Sequence, residues 1–204
     1  VDLEMFRPAE PDAERTFTIG YVGRLLPAKG VSVLIEALIK IKSEKWRLLV
    51  VGDGMERPAL EQTLSEHDLL ERCEFTGAVP YEKTPEYFQK LDVLVVPTIT
   101  TNKIREQFGR VIIEAMACRV PVVGSTCGAI PEVIGNAGLV VPENDSEALA
   151  AQLQGLMRDE NLRKKLARAG RRRVEENFTW ERAAEQIFSL YQRVLKADYK
   201  NELA

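Results

Sequence analysis

Short apolar, β-branched runs alternate along the chain with longer stretches of helical periodicity. TFTIGYV (16–22), WRLLVVG (46–52), CEFTG (73–77), DVLVVPT (92–98), VPVVGS (120–125) and GLVVP (138–142) read as strands. Between them VSVLIEALIKIK (31–42), ERPALEQTLSEHD (56–68), TPEYFQKL (84–91) and GRVIIEAMA (109–117) read as helices, while GSTCGAIPEVIGNAG (124–138) reads as a Gly-rich, irregular loop. The strands are apolar throughout rather than alternating, so both faces of their sheet need cover. The pattern predicts an α/β fold: a doubly wound, Rossmann-like parallel sheet of about six strands with helices on both faces.

Beyond Pro142 the texture changes to charged helices, over 143–159, 160–177 and 179–197. Asp145 or Ser146 is the expected N-cap of the first, and Thr179 of the last. The opening segment VDLEMFRPAEPDAER is polar and Pro-containing and reads as a linker, so the chain is expected to be part of a larger protein. With 204 residues, 45% of them hydrophobic, one domain with a full core is expected.

Charge removes one class of partner. Lys and Arg number 28 against 31 Asp and Glu, a net of −3, which gives no electrostatic footprint for nucleic acid. The basic run RKKLARAGRRR (163–173) has acidic flanks and few apolar positions, so it reads as a solvated helix face rather than a membrane-binding one. Cys73, Cys118 and Cys127 form no CxxC pair and read as reduced, buried thiols. No apolar run approaches the ~18 residues of a membrane span, and no signal peptide is apparent. A cytoplasmic location is expected, and peripheral contact with the inner face of a membrane stays open for the full-length protein.

In an open α/β sheet, ligands sit beyond the carboxyl ends of the strands, so the strand-to-helix turns are where chemistry is expected. The first turn, GYVGRLLPAKG (20–30), carries Gly23 for close backbone approach and two cations, Arg24 and Lys29, beside a helix start. A guanidinium fork and a mobile ammonium there suit a diphosphate, although two surface cations would look the same. The second turn, VVGDGMERP (50–58), starts like a GxGxxG dinucleotide fingerprint but has Arg57 where the third glycine belongs. It reads as a turn packed near the ligand.

The third turn, EQFGRVIIEAMA (106–117), places Glu106 before a helix and Glu114 inside it. A helix starting near Gly109 would aim the free N–H groups of Phe108 to Val111 at an anion. Within a helix, the spacing between the carboxylates would give about 12 Å and roughly 80° of rotation, which excludes an acid–base dyad on one atom. They fit the two ends of a long ligand instead, each accepting from a hydroxyl pair. Glu114 is surrounded by apolar residues and, once buried, would need a partner. The fourth turn, 124–138, is expected to line the same mouth, with Glu132 given little weight.

These residues, together with VDLEMFRP, GRLLPAKG, VVGDG, FTGAV, GAIPEVI and the closing FTWERAAEQIFSLYQRVL, resemble in order the C-terminal half of family 4 glycosyltransferases, a retaining family of GT-B architecture. The resemblance implies a linker remnant at 1–15, a nucleotide-sugar-binding domain at 16–178, and a helix at 179–204 that crosses back to a missing N-terminal acceptor domain. It implies that Arg24 and Lys29 bind the donor diphosphate. Glu106 would hold the donor sugar's hydroxyls and Glu114 the ribose. Phe108, Gly109 and Arg110 would offer backbone amides, and the backbone of Val79 would meet the base. Arg24, Lys29 and Glu106 are the expected catalytic residues, Glu106 as a positioning group rather than a nucleophile.

No metal or cofactor is expected, and the only histidine, His67, reads as a surface residue. The implied acceptor is a saccharide or a lipid-linked glycan in polysaccharide biosynthesis. Without the acceptor half, the domain alone is expected to transfer nothing. Two positions depart from the family: Arg110 stands where an apolar residue is usual, and Arg119 replaces a common glycine. The competing readings are the nicotinamide-dinucleotide domain of a dehydrogenase and a non-catalytic flavodoxin-like module. Arg57 opposes the first, and the four charged residues would lack a joint purpose in the second.

Overall fold

The computed structural model describes residues 1–9, 15–102 and 104–201, the last six as helical backbone only. The chain forms β1 (Thr18–Val22), α1 (Val31–Lys40), β2 (Arg47–Val51), α2 (Arg57–Glu66), β3 (Cys73–Phe75), α3 (Thr84–Phe88), β4 (Val93–Val96) and α4 (Arg110–Ala117). It continues with β5 (Val122–Ser125), α5 (Ile130–Ile134), β6 (Leu139–Val141), α6 (Ser146–Arg158), α7 (Glu160–Asn177) and α8 (Trp180–Asn201). All six strands pair in parallel in the order β3-β2-β1-β4-β5-β6. The doubly wound, Rossmann-like expectation holds. The order reverses between β1 and β4, which opens a crevice at their carboxyl ends.

Strand residues alternate between two cores because successive side chains point to opposite faces. Ile19, Leu48, Val50, Val95 and Val123 meet Leu34 and Leu38 of α1, Leu64 of α2 and Leu149 and Leu153 of α6. Leu49, Val51, Leu94, Val96 and Val122 meet Phe88 of α3, Ile112 and Met116 of α4, Ile130 and Ile134 of α5, and Val174 of α7. Both faces are therefore covered, as the unbroken apolar strands require.

Helix ends follow local chemistry. Asp145 caps α6 by accepting from the Ala148 amide (2.8 Å), and Thr179 Oγ1 accepts from Arg182 at the start of α8 (3.2 Å). The α4 helix ends in a Schellman motif, with Val120 N–H donating to Ala115 O (2.9 Å) and Arg119 N–H to Met116 O (3.0 Å). That motif forces Arg119 to a φ of 60°, the left-handed conformation that glycine adopts freely.

Three sequence expectations change. The 124–138 loop contains a helix, α5, started by Pro131 in its first turn. The basic run is only partly a solvated face. Arg163 donates to the carbonyls of Leu156 and Met157 near the end of α6, Arg171 to Ala117 O (2.7 Å) and Phe6 O (3.0 Å), and Arg173 to Glu132 O (2.7 Å) and Val133 O (2.8 Å). Guanidinium groups thus satisfy carbonyls at the negative ends of α4, α5 and α6. Finally, the N-terminal segment expected as a linker packs on the domain where it is described: Phe6 is fully buried, its ring 5.7 Å from Tyr81 and 6.0 Å from Phe88.

Residues 10–14 of that expected linker, and 202–204 of the expected crossing helix, lie outside the described residues. Along α8, Trp180, Ile187, Phe188, Tyr191, Val194 and Leu195 expose an apolar stripe at helical spacing. Among the described residues no helix is long and apolar enough to cross a membrane.

Candidate functional site

The crevice is built by four loops that brace one another through backbone. Gly23 leaves β1 and donates to Val51 O (2.9 Å), and Leu25 donates to Asp53 O (2.9 Å), so the first loop lies on the second. The contact is so close that a Cβ on Gly52 would fall 2.0 Å from Gly23 O. The 50–58 turn is thereby occupied as a support. Arg57 ties it down through Asp53 (3.5 Å) and Glu61 (2.7 Å) and covers the Phe75 ring.

Tyr21, on β1, was not foreseen from sequence. Its hydroxyl, buried beneath the turn, donates to Arg24 O (2.7 Å), and burial pushes the phenol pKa up. The Arg24 guanidinium itself is exposed and makes no hydrogen bond with a described residue. The carbonyl is fixed while the cation remains available.

Lys29 ends a single 3-10 turn at Pro27–Lys29 and donates to Glu106 Oε2 at 2.6 Å. Both side chains are more than three-quarters buried, so the pair is less screened than a surface one. Glu106 lies in the loop before α4, as expected, and its backbone is held from a third direction. Its carbonyl accepts from Ala129 N–H (2.9 Å), and Gly128 (φ 58°) packs so near that a Cβ there would meet Glu106 O at 2.0 Å. Glu106, Gly128, Ala129 and Glu132 line one surface depression of about 740 Å³ with Thr101 and Arg105, which places the fourth turn at the same mouth.

Gly109 (φ 74°) is the N-cap of α4 and makes no side-chain cap, and the leading amides of a helix have no partner within it. Phe108 packs edge-on to Phe178 at 5.7 Å. Four residues into the helix, Glu114 is 7% exposed. The partner that its burial requires is a pair: the Tyr81 hydroxyl (3.2 Å) and the Arg110 guanidinium (3.3 Å), both on Oε1. Burial pushes the Glu114 carboxyl above its ordinary pKa, with Arg110 and Tyr81 opposing. Glu114 lines a cavity of about 700 Å³ with Tyr81, Phe108, Arg110, Phe178 and Trp180.

Arg110, unassigned by composition and spacing, therefore pairs with Glu114 and lies over the Tyr81 ring, 5.1 Å from its centroid. Its i, i+4 spacing to Glu114 was a usable signal. Tyr81 had none, lying 33 residues away. Val79 is half-buried in the loop before Tyr81 and packs against the second core. His67 is exposed at the end of α2. Cys118 and Cys127 are buried, Cys73 half-buried, and burial pushes the Cys73 and Cys118 thiols up to about 12. Among the described residues, no three His, Cys, Asp or Glu side chains group as a metal site.

Comparison with known proteins places this geometry. Residues 3–173 match the model of the family described as glycosyl transferases group 1. The chain is 35% identical over 187 residues to the capsular polysaccharide biosynthesis glycosyltransferase CapM of Staphylococcus aureus, covering 88% of this chain and 47% of CapM. Sucrose-phosphate synthase of Thermosynechococcus elongatus superposes with a TM-score of 0.83 at 32% identity, over 97% of this chain and 51% of that one. HepE of Anabaena, solved with UDP, shares the fold with a TM-score of 0.83 at 23% identity, over 95% of this chain and 56% of its own. The chain spans about half the length of the curated relatives it matches. Its six-stranded parallel sheet is that of the C-terminal domain of a GT-B glycosyltransferase, and the chain belongs to the glycosyl transferases group 1 family.

Proposed function

We propose that this chain is the donor-binding half of a retaining glycosyltransferase that holds a nucleotide-diphosphate sugar for transfer to a saccharide or lipid-linked acceptor. The observation that carries the reading is the joining of Lys29 to Glu106 at the crevice mouth, with a second carboxylate, Glu114, one turn inside α4. A carboxylate on either side of a cation and a helix terminus matches the order of sugar, diphosphate and ribose along one ligand. The UDP-glucose in one HepE structure is a ligand of this kind, and the UDP in another is its nucleotide part.

Arg24 and Lys29 take the diphosphate in this reading, assisted by the amides of Phe108, Gly109 and Arg110. Glu106 accepts from the sugar hydroxyls, Glu114 from the ribose diol, and the backbone near Gly23 and Val79 borders phosphate and base. Cleavage of the sugar–phosphate bond leaves negative charge on the diphosphate, and two cations plus helix amides stabilise it without calling for a metal. A front-face departure, in which the leaving phosphate assists deprotonation of the acceptor, accounts for retention with Glu106 as a positioning group. The exposed α8 stripe is available to an N-terminal acceptor domain, without which the chain binds donor and transfers nothing. A cytoplasmic setting, where nucleotide-sugars are made, fits the reading.

Titration calorimetry with UDP, GDP, ADP and NAD tests it. One nucleoside diphosphate is expected to bind and NAD is not. Binding of NAD in preference to all three would reject the proposal in favour of a dinucleotide domain.

A further inference from the structure

Arg110 is the first residue of α4, where the helix dipole opposes a cation. Its side chain is 68% exposed, and an ion pair with so exposed a partner contributes little to stability. Yet the guanidinium is held by two independent contacts, the Tyr81 ring face at 5.1 Å and Glu114 Oε1 at 3.3 Å. Tyr81 is itself fixed, with Phe6 against its ring (5.7 Å) and its hydroxyl also on Glu114 Oε1 (3.2 Å). Both donors therefore occupy one oxygen of the carboxylate. Among the described residues, Oε2 has no hydrogen-bond partner, and Glu114 borders the cavity of about 700 Å³.

We propose that Arg110 is a positioning residue for donor binding: laid on Tyr81 and bonded to Glu114 Oε1, it fixes the carboxylate so that Oε2 stays open to a ribose diol. The proposal rests on the donor-binding reading above and deepens it at the ribose end. A carboxylate accepts both hydroxyls of a diol best when ionised, and Glu114 is buried in surroundings that favour the neutral acid. The charged and titratable groups facing it are Arg110 on its own helix, Tyr81 beyond β3, the Val1 amino group and Asp2 of the N-terminal segment, and Cys118 at the end of α4. Of these, Arg110 is the nearest permanent cation. Removing it should both loosen the carboxylate and let it protonate at higher pH.

The experiment measures affinity for UDP, GDP and ADP and for their 2′-deoxy counterparts, across pH, on the wild-type chain and on Arg110→Leu, Arg110→Lys and Glu114→Ala. Arg110→Leu is expected to weaken the preferred ribonucleotide about tenfold near neutral pH, equivalent to about 1.4 kcal/mol. Its 2′-deoxy counterpart should change less than about twofold. The acid limb of ribonucleotide affinity should move to higher pH, and Arg110→Lys should recover part of the loss. Unchanged melting of Arg110→Leu controls for folding. Equal loss for ribo- and deoxynucleotides, or no shift of the acid limb, would overturn the role of Arg110 while leaving the donor-binding reading intact. Undiminished affinity in Glu114→Ala would overturn the ribose assignment, and this inference with it.

Discussion

Lys29 Nζ lies 2.6 Å from Glu106 Oε2, and this one bond ties the loop leaving β1 to the loop leaving β4 across the point where strand order reverses. In the proposed reading the same two groups serve different parts of the donor, phosphate and sugar. In the structure the two groups pair with each other.

A divergence between ligands follows. In Glu106→Ala, Lys29 loses its internal partner and is released for phosphate, so affinity for a free nucleoside diphosphate should stay level or rise a few-fold. Affinity for the intact sugar donor should fall about tenfold, the size of one charge-assisted hydrogen bond. Calorimetry with both ligands on the same variant checks this. A parallel fall for both would reject the division of roles.

Tyr21 supports the Arg24 turn from below through its hydroxyl. Tyr21→Phe leaves the Arg24 carbonyl short of its donor and should lower unfolding stability by about 1 kcal/mol. Diphosphate affinity should drop a few-fold, and nucleoside affinity should not change. Chemical denaturation and binding of the two ligands measure the effects separately.

Arg119 sits at φ 60° in the α4 Schellman motif. Relief of left-handed strain, offset in part by the greater backbone freedom of glycine when unfolded, should make Arg119→Gly more stable by about 0.5–1 kcal/mol. Nucleotide affinity should be unaltered, because this residue lies at the far end of the helix from the crevice. A thermal melt and a single titration suffice.

The Glu114 carboxyl has its pKa raised by burial. Relative to the unfolded chain, its contribution to stability is fully present below the ordinary carboxylate range, about pH 4, and is lost as pH rises through the raised value. Glu114→Gln abolishes this titration. The variant's melting temperature should therefore gain on that of the wild type as pH rises from about 4. Melting curves of both proteins across that range check the sign, and an opposite slope would mean that Arg110 and Tyr81 outweigh burial.

Much of this molecule was legible in its residues, and the failures share a cause. Strands and long helices followed from local patterning: unbroken apolar runs such as VLVV, and caps such as Asp145 and Thr179. The short α5 helix was hidden because its flanking glycines read as loop, and its five residues carry too few turns to show a period. Arg163, Arg171 and Arg173 looked like solvated charge because a carbonyl acceptor leaves no mark in sequence. The site showed the same limit. Arg110 and Glu114 are neighbours by helix geometry, whereas Tyr81 reaches them only through the packing of α3 and Phe6.

The Glu106 carbonyl is gripped by Gly128 and Ala129, which belong to a different strand-to-helix unit. A single methyl group at position 128 would push that carbonyl aside without touching Arg24, Glu114 or the first turn of α4. In the proposed reading, the sugar end of the crevice would thus be silenced from behind while the nucleotide end stays intact. If the donor lies as proposed, its sugar and its nucleotide are held by units that can be altered separately.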